Sequence, residues 1–409
     1  MLKRIALVVG GLIAVVVVAA GGFLGYMAWD FPVRYPTQKI DLTVQSTPDR
    51  VARGKAISQA LCAGCHYDQK TGALTGHHMI EAPDEFGVLW SHNITGDPKE
   101  GIGSYTDGEL AFLLRTGIER NGVYPGPFMG HPHASDEDIV SLIAFLRSDD
   151  PLVRPQSVPN RDSKPGFLVK LLNHVAWKPS AYPQASVQMP AATDRVAYGH
   201  YLAVNLYDCY VCHSADFKTL DTAVPEHSAG FFGGGNPTLD SDHHVVLSAN
   251  LTQDETGLAG WSEAQFVRAV REGFRPDNRP LRFPMEPIPS ISPDEASAIW
   301  AYLQTVPKLH NPLNRWTEAP PPATASVGEK IYRKYTCGSC HGASGSGVCD
   351  LRGAFEKYHD EAGVAAFIRN PEKFLPGTKM PTWDGVILNE EYAPLVAYVR
   401  ALGTMHAER

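Results

Sequence analysis

One short pattern occurs three times in the 409 residues and uses six of the seven cysteines. Its copies are Cys62-Ala-Gly-Cys65-His66, Cys209-Tyr-Val-Cys212-His213 and Cys337-Gly-Ser-Cys340-His341. Cys-x-x-Cys-His is the attachment signature of c-type haem. Each thiol adds to one vinyl group, and the next residue gives its imidazole to the iron. A redox-active pair or half of a zinc site shares the cysteine spacing, but neither needs a histidine directly after every pair. The pattern predicts three covalently bound haem c groups on these cysteines, with His66, His213 and His341 as iron ligands. Pro and Gly are plentiful, 32 and 37 residues, which points to small loop-rich units rather than long helical bundles. The formal net charge of −8 argues against nucleic acid as a partner. Haem of this kind is attached outside the cytoplasm, so the bulk of the chain is expected in the periplasm.

The N-terminus gives a second constraint. Lys3 and Arg4 precede an uncharged run from Ile5 to Trp29. At about 1.5 Å per residue, that run spans a bilayer core of about 30 Å. The basic pair before it and Asp30 after it follow the positive-inside rule, and Tyr26 and Trp29 fall at the outer interface. A cleaved signal peptide is the alternative. Small residues at Ala19-Ala20-Gly21-Gly22 suit cleavage, but the apolar run continues through Phe23, Leu24, Tyr26 and Met27. The expectation is a single N-terminal span in the bacterial inner membrane, and both readings export the remainder.

Aligned on the cysteine pairs, the chain repeats one plan. Each copy opens on a helix-compatible stretch with a glycine (Gly54, Gly199, Gly328) and closes on a tripeptide with a central aromatic. The closing tripeptides are Ala144-Phe145-Leu146, Ala301-Tyr302-Leu303 and Ala397-Tyr398-Val399. The glycine is expected to let the first helix pack closely against that aromatic. Ser135 to Asp138 reads as a variant capping box, and Ser292-Pro293-Asp294-Glu295 as a full one with proline at the first helical position. The first two copies also share an insert containing Asn93-Ile-Thr or Asn250-Leu-Thr, which the third lacks. The fold class expected is mainly α, three tandem class I cytochrome c-like domains after a transmembrane helix. The boundaries read as an anchor over 1–36, domains over 37–150, 191–308 and 325–409, and linkers over 151–190 and 309–324. The second linker ends in Ala-Pro-Pro-Pro and should be extended and stiff. In the first linker, Phe167, Leu168, Leu171, Leu172 and Val175 form one helical face. That face packs on a neighbouring domain, lies in the membrane interface or docks a partner.

An iron that only passes electrons needs a second axial ligand, and a methionine thioether is the usual one. Each copy has a methionine in a Pro- or Gly-rich loop, sixteen to eighteen residues before its closing aromatic: Met129, Met285 and Met380. A lone methionine is ordinarily core filler, but three at matching offsets are expected to be metal ligands. His77, His78, Met79, His131 and His133 compete in the first copy. His77, His78, His243 and His244 read as solvated loop residues. The seventh cysteine, Cys349, stands where the backbone carbonyl accepts the Nδ1–H of the ligating histidine in small cytochrome c domains, and Pro83 and Pro237 are candidates for that part elsewhere.

With these motifs the sequence resembles the three-haem cytochrome c subunit of bacterial membrane-bound, quinone-linked alcohol and sugar-acid dehydrogenases. The resemblance covers most of residues 50–405 and rests on the haem motifs, the Asn-Ile/Leu-Thr segments and the methionine loops. It implies an electron-transfer subunit with no substrate chemistry of its own, whose partners are a dehydrogenase catalytic subunit, membrane lipid and ubiquinone. A membrane-tethered carrier between a quinol-oxidising respiratory complex and a terminal oxidase is the second reading. A haem enzyme such as a peroxidase is a third, and requires an iron with an open site.

Overall fold

The computed structural model describes residues 2–313, 320–375 and 378–404. The chain opens with the helix Leu2–Trp29, of which Lys3–Met27 is long and apolar enough to cross a membrane. Its C-terminal end meets the first linker. The Tyr26 ring stands edge-on to His174 at 5.5 Å, and its hydroxyl donates to Asp30 at 2.8 Å.

Each haem motif is bracketed by a helix pair, an opening helix packed on a closing one. The pairs are Pro48–Leu61 with Asp136–Leu146, Arg195–His200 with Pro293–Leu303, and Val327–Lys334 with Asn389–Thr404. The expected glycine contacts are all present. A Cβ on Gly54 would stand 1.9 Å from Ser141 O and 2.8 Å from Phe145 Cβ. The same atom on Gly199 would meet Ala298 O at 1.9 Å and Tyr302 Cβ at 2.9 Å, and on Gly328, Pro394 O at 2.1 Å and Tyr398 Cβ at 2.6 Å. The helices therefore touch backbone to backbone, which only glycine permits. The closing helices start as their sequences suggest. Ser135 Oγ accepts the Asp138 N–H, and Ser292 and Glu295 form a reciprocal capping box behind Pro293.

The first two units share one hydrophobic core. Ile57, Leu142 and Phe145 from the first and Tyr201, Leu202 and Leu303 from the second lie in a single buried cluster. Arg53 locks this interface. Its guanidinium reaches Asp138 at 2.8 Å and Glu295 at 2.5 Å, the third residues of the two closing helices. The third unit has a separate core around Tyr332, Trp383 and Leu395, into which the second unit inserts Phe274, edge-on to Trp383 at 5.2 Å.

The first linker wraps the first unit instead of standing free. Its strand Lys164–Pro165 pairs with Gly87–Val88. Its helix Phe167–Val175 buries Val169, Leu172 and Asn173 against a cluster with Phe86, Tyr124 and Trp177. The buried face is thus rotated from the expected stripe. Asn173 lies on the buried face, where its Nδ2 donates to Val169 O at 3.1 Å and its Oδ1 has no partner among the described residues, while Phe167 and Val175 stay exposed. In the second linker, residues 314–319 lie outside the described residues, as do Met1, Pro376, Gly377 and residues 405–409.

Candidate haem-binding site

The three motifs occupy short helices, Ala63–His66, Cys209–His213 and Gly338–His341. One helical turn puts the two cysteines and the histidine on one face, because residues three and four apart are neighbours there. Burial pushes the thiols up, Cys62 to about 11 and Cys65, with help from the Glu81 charge, to about 12. Burial likewise drives Cys209 up to about 12 and Cys212 to about 11. A redox-active Cys-x-x-Cys needs the opposite, a thiol whose pKa is lowered.

Each histidine commits the same nitrogen. Nδ1 of His66 lies 2.6 Å from His92 O, that of His213 lies 2.8 Å from Ala249 O, and that of His341 lies 2.7 Å from Cys349 O. A backbone carbonyl can only accept, so Nδ1 carries the proton and Nε2 keeps its lone pair. Such a bond fixes a metal-binding imidazole and raises its basicity. His66 is held neutral, its pKa lowered to about 4 by burial.

The Cys349 carbonyl plays the part expected of it, but Pro83 and Pro237 do not. Pro83 O accepts the Phe86 N–H at the start of a short 3₁₀ turn, and Pro237 sits in a strand paired with Leu247. The insert supplies the carbonyl instead, from the residue just before each Asn-Ile/Leu-Thr. Asn93 Oδ1 accepts from the Thr95 backbone at 2.9 Å and hydroxyl at 2.8 Å, while Nδ2 donates to Gln156 O and Val158 O. Asn250 repeats this, with Thr252 at 2.9 and 2.8 Å and Nδ2 on Thr256 and Leu309. Both asparagines are almost wholly buried. They are braces that hold the carbonyl over the histidine, a role sequence reasoning missed although the motif itself stood out.

The methionines lie half-buried in the loops before the closing helices. Phe128, beside Met129, meets Trp177 edge-on at 5.5 Å, and the buried Trp177 Nε1 has no hydrogen-bond partner among the described residues. Met285 N donates to Arg282 O at 3.0 Å, and Met380 packs against the third core. Among the competing side chains, His131 is engaged by Asp208 at 2.7 Å. His77 is not solvated as expected. It is half-buried with Nδ1 enclosed, and burial lowers its pKa. His78 stacks on Trp90 at 5.0 Å, whereas His243 and His244 are exposed.

The motifs converge on a charged junction. The Glu81 carboxylate acts on both Cys65 and Cys212, and burial pushes its own pKa up to about 7. Lys379 pairs with Glu286 at 3.1 Å. The second unit clamps the third motif: Ser241 Oγ donates to Cys340 O at 2.8 Å, and the Asp242 carboxylate accepts the Ala343 N–H. Asp240 anchors that clamp. Burial works against its charge, but Arg282 and the His244 backbone hold its carboxyl below the ordinary range. Gln69 of the first unit donates to Cys349 Sγ in the third.

The motif helices, the carbonyl-bound histidines and the enclosed unpartnered indole fit haem c. Family comparison agrees on the class. Residues 51–149 match the family model of cytochrome c, and residues 323–399 match that of cytochrome c oxidase, cbb3-type, subunit III. The matched segments are cytochrome c domains, which hold haem c covalently. Among individual relatives, the chain is 28% identical over 311 residues to the cytochrome c subunit of alcohol dehydrogenase (quinone) from Gluconacetobacter polyoxogenes, covering 71% of this chain and 64% of the relative. It is 26% identical over 329 residues to the gluconate 2-dehydrogenase cytochrome c subunit of Pantoea cypripedii, covering 75% and 72%. Against the fructose dehydrogenase cytochrome subunit of Gluconobacter japonicus it is 26% identical over 332 residues, covering 73% and 65%. The chain thus spans a little under two thirds of the alcohol and fructose dehydrogenase subunits that it matches.

Proposed function

We propose that the chain is a membrane-anchored, three-haem cytochrome c that relays electrons as a subunit of a periplasmic quinone-linked dehydrogenase complex. The observation that carries it is the common histidine geometry. All three Cys-x-x-Cys-His segments present an imidazole with Nδ1 tied to a backbone carbonyl. The relatives named as dehydrogenase cytochrome c subunits supply the complex.

In this reading the axial pairs are His66/Met129, His213/Met285 and His341/Met380, one haem c to each of the domains 37–150, 191–308 and 325–409. Bound haem supplies a one-electron iron couple. The chain supplies everything else. The cysteines would fix the ring, each histidine and methionine pair would hold the iron, and hydrogen bonds and burial would tune the potential. An iron held in this way would pass electrons without binding substrate. The helix Lys3–Met27 holds the first domain at the inner membrane, near lipid and ubiquinone, and the haem domains face the periplasm. A dehydrogenase catalytic subunit is the donor.

The match of residues 323–399 to an oxidase subunit favours a second reading, a tethered carrier toward a terminal oxidase. Co-purification in mild detergent separates them: a dehydrogenase subunit supports the first, oxidase subunits the second. The haem assignment is tested by intact mass, which should show three haems, and by the near-infrared thioether–iron(III) band. Met285→Ala that leaves this band at full strength would remove Met285 as a ligand.

A further inference from the structure

Two residues beside the proposed axial methionines find each other across the molecule. Glu286 directly follows Met285, and Lys379 directly precedes Met380. Their side chains pair at 3.1 Å, each about one-fifth exposed (20% and 23%). The pair sits over the first motif, since a Cβ on Gly64 would lie 3.8 Å from Lys379 Nζ. The methionine loops of the second and third units thus meet on the haem-attachment turn of the first.

Other contacts hold the opposite, histidine side of the third motif to the same two neighbours. Ser241 and Asp242 of the second unit bind its backbone, and Gln69 of the first binds the residue whose carbonyl holds His341. The methionine side has no comparable backbone clamp among its described contacts. There the Met380 N–H donates to Thr378 Oγ1, within its own loop, at 3.2 Å. Among the described residues, the Lys379–Glu286 pair is the ion pair that joins this loop to the second unit, beside the edge-on contact of Phe274 with Trp383 at 5.2 Å.

We propose that the Lys379–Glu286 ion pair is a latch between the methionine loops of the second and third haem sites, so that the strength of one thioether ligand depends on the other. This rests on the ligand assignments Met285 and Met380. Both residues act through position and touch no reacting atom. A partly buried pair with its partner removed leaves a lone charge over the first motif, and the loop that carried it loses its restraint.

The test is an imidazole titration of the oxidised, full-length protein in detergent, read by loss of the thioether–iron(III) band. Lys379→Gln and Glu286→Gln should each raise imidazole affinity several-fold at the second and third haems and leave the first unchanged. The reversed pair, Lys379→Glu with Glu286→Lys, should return the affinity toward that of the parent. Titrations of the single variants that coincide with the parent would overturn the latch, as would failure of the reversed pair to restore it. If the variants lose haem, the parent serves alone. Raising the ionic strength should ease imidazole binding at two haems only, and identical titrations at low and high salt would count against the latch. Met380→Ala separates this from the ligand assignment, because a band unchanged by that variant would remove Met380 itself.

Discussion

The smallest determinants are two asparagines and one glutamate. Asn93 and Asn250 hold the carbonyls of His92 and Ala249 over the haem-site histidines. Asn93→Ala strands buried backbone groups and should cost about 1–3 kcal/mol of stability, seen as a lower thermal midpoint. It should also raise the potential of the first haem, because a less basic imidazole stabilises oxidised iron less. Glu81 gives a pH signature. Its native pKa is raised from 4.5 to about 7, chiefly by burial and next by the Glu286 charge. The native state binds that proton more tightly than the unfolded chain. This contribution to stability is therefore full below about 4.5 and lost as pH rises through about 7. The charge that appears favours oxidised iron nearby, so the potentials of the first two haems should fall over the same window. Redox titrations at several pH values check this, and Glu81→Gln should flatten the trend. The cysteine, histidine and asparagine positions were all legible in the sequence. The carbonyl partners were not, because proline commonly takes that place in small cytochrome c domains, and on that ground Pro83 and Pro237 are the expected residues. The inserts of the longer copies bring a distant residue to the same place.

At the scale of elements, the glycine–aromatic pairing was readable because a backbone contact leaves a sequence mark that only glycine satisfies. Gly328→Ala puts a methyl 2.1 Å from Pro394 O. The crossing must open, at about 1–3 kcal/mol for an overpacked contact. Because the third unit's core is a separate cluster from the one shared by the first two, joined to the second unit there by Phe274, the loss should appear as a chain retaining two haems, measured by intact mass. Gly54→Ala acts within the core shared by the first two units and should impair both sites together. The linker helix was less legible. Its apolar stripe included Leu172, which is buried, but Val169 and Asn173 share the buried face, and a buried asparagine is not encoded in an apolar period.

Across the whole molecule, the sequence announces three repeats but not how they meet. The bonds that join them, Arg53 to Glu295, Ser241 to Cys340 and Lys379 to Glu286, link residues far apart in the chain with no motif in common. They bring the attachment motifs onto one junction, which is what a relay requires. The N-terminal helix completes the arrangement. If it is retained, mass spectrometry of the mature protein should find Met1 or Leu2 at its start, whereas a start between Ala20 and Asp30 would mark a cleaved signal. The relay itself is tested most directly by rapid mixing of the oxidised, membrane-embedded protein with its reduced physiological donor, following each haem separately. A relay predicts that all three haems are reduced in turn and that none lags beyond turnover. One haem that stays oxidised while its neighbours are reduced would contradict it.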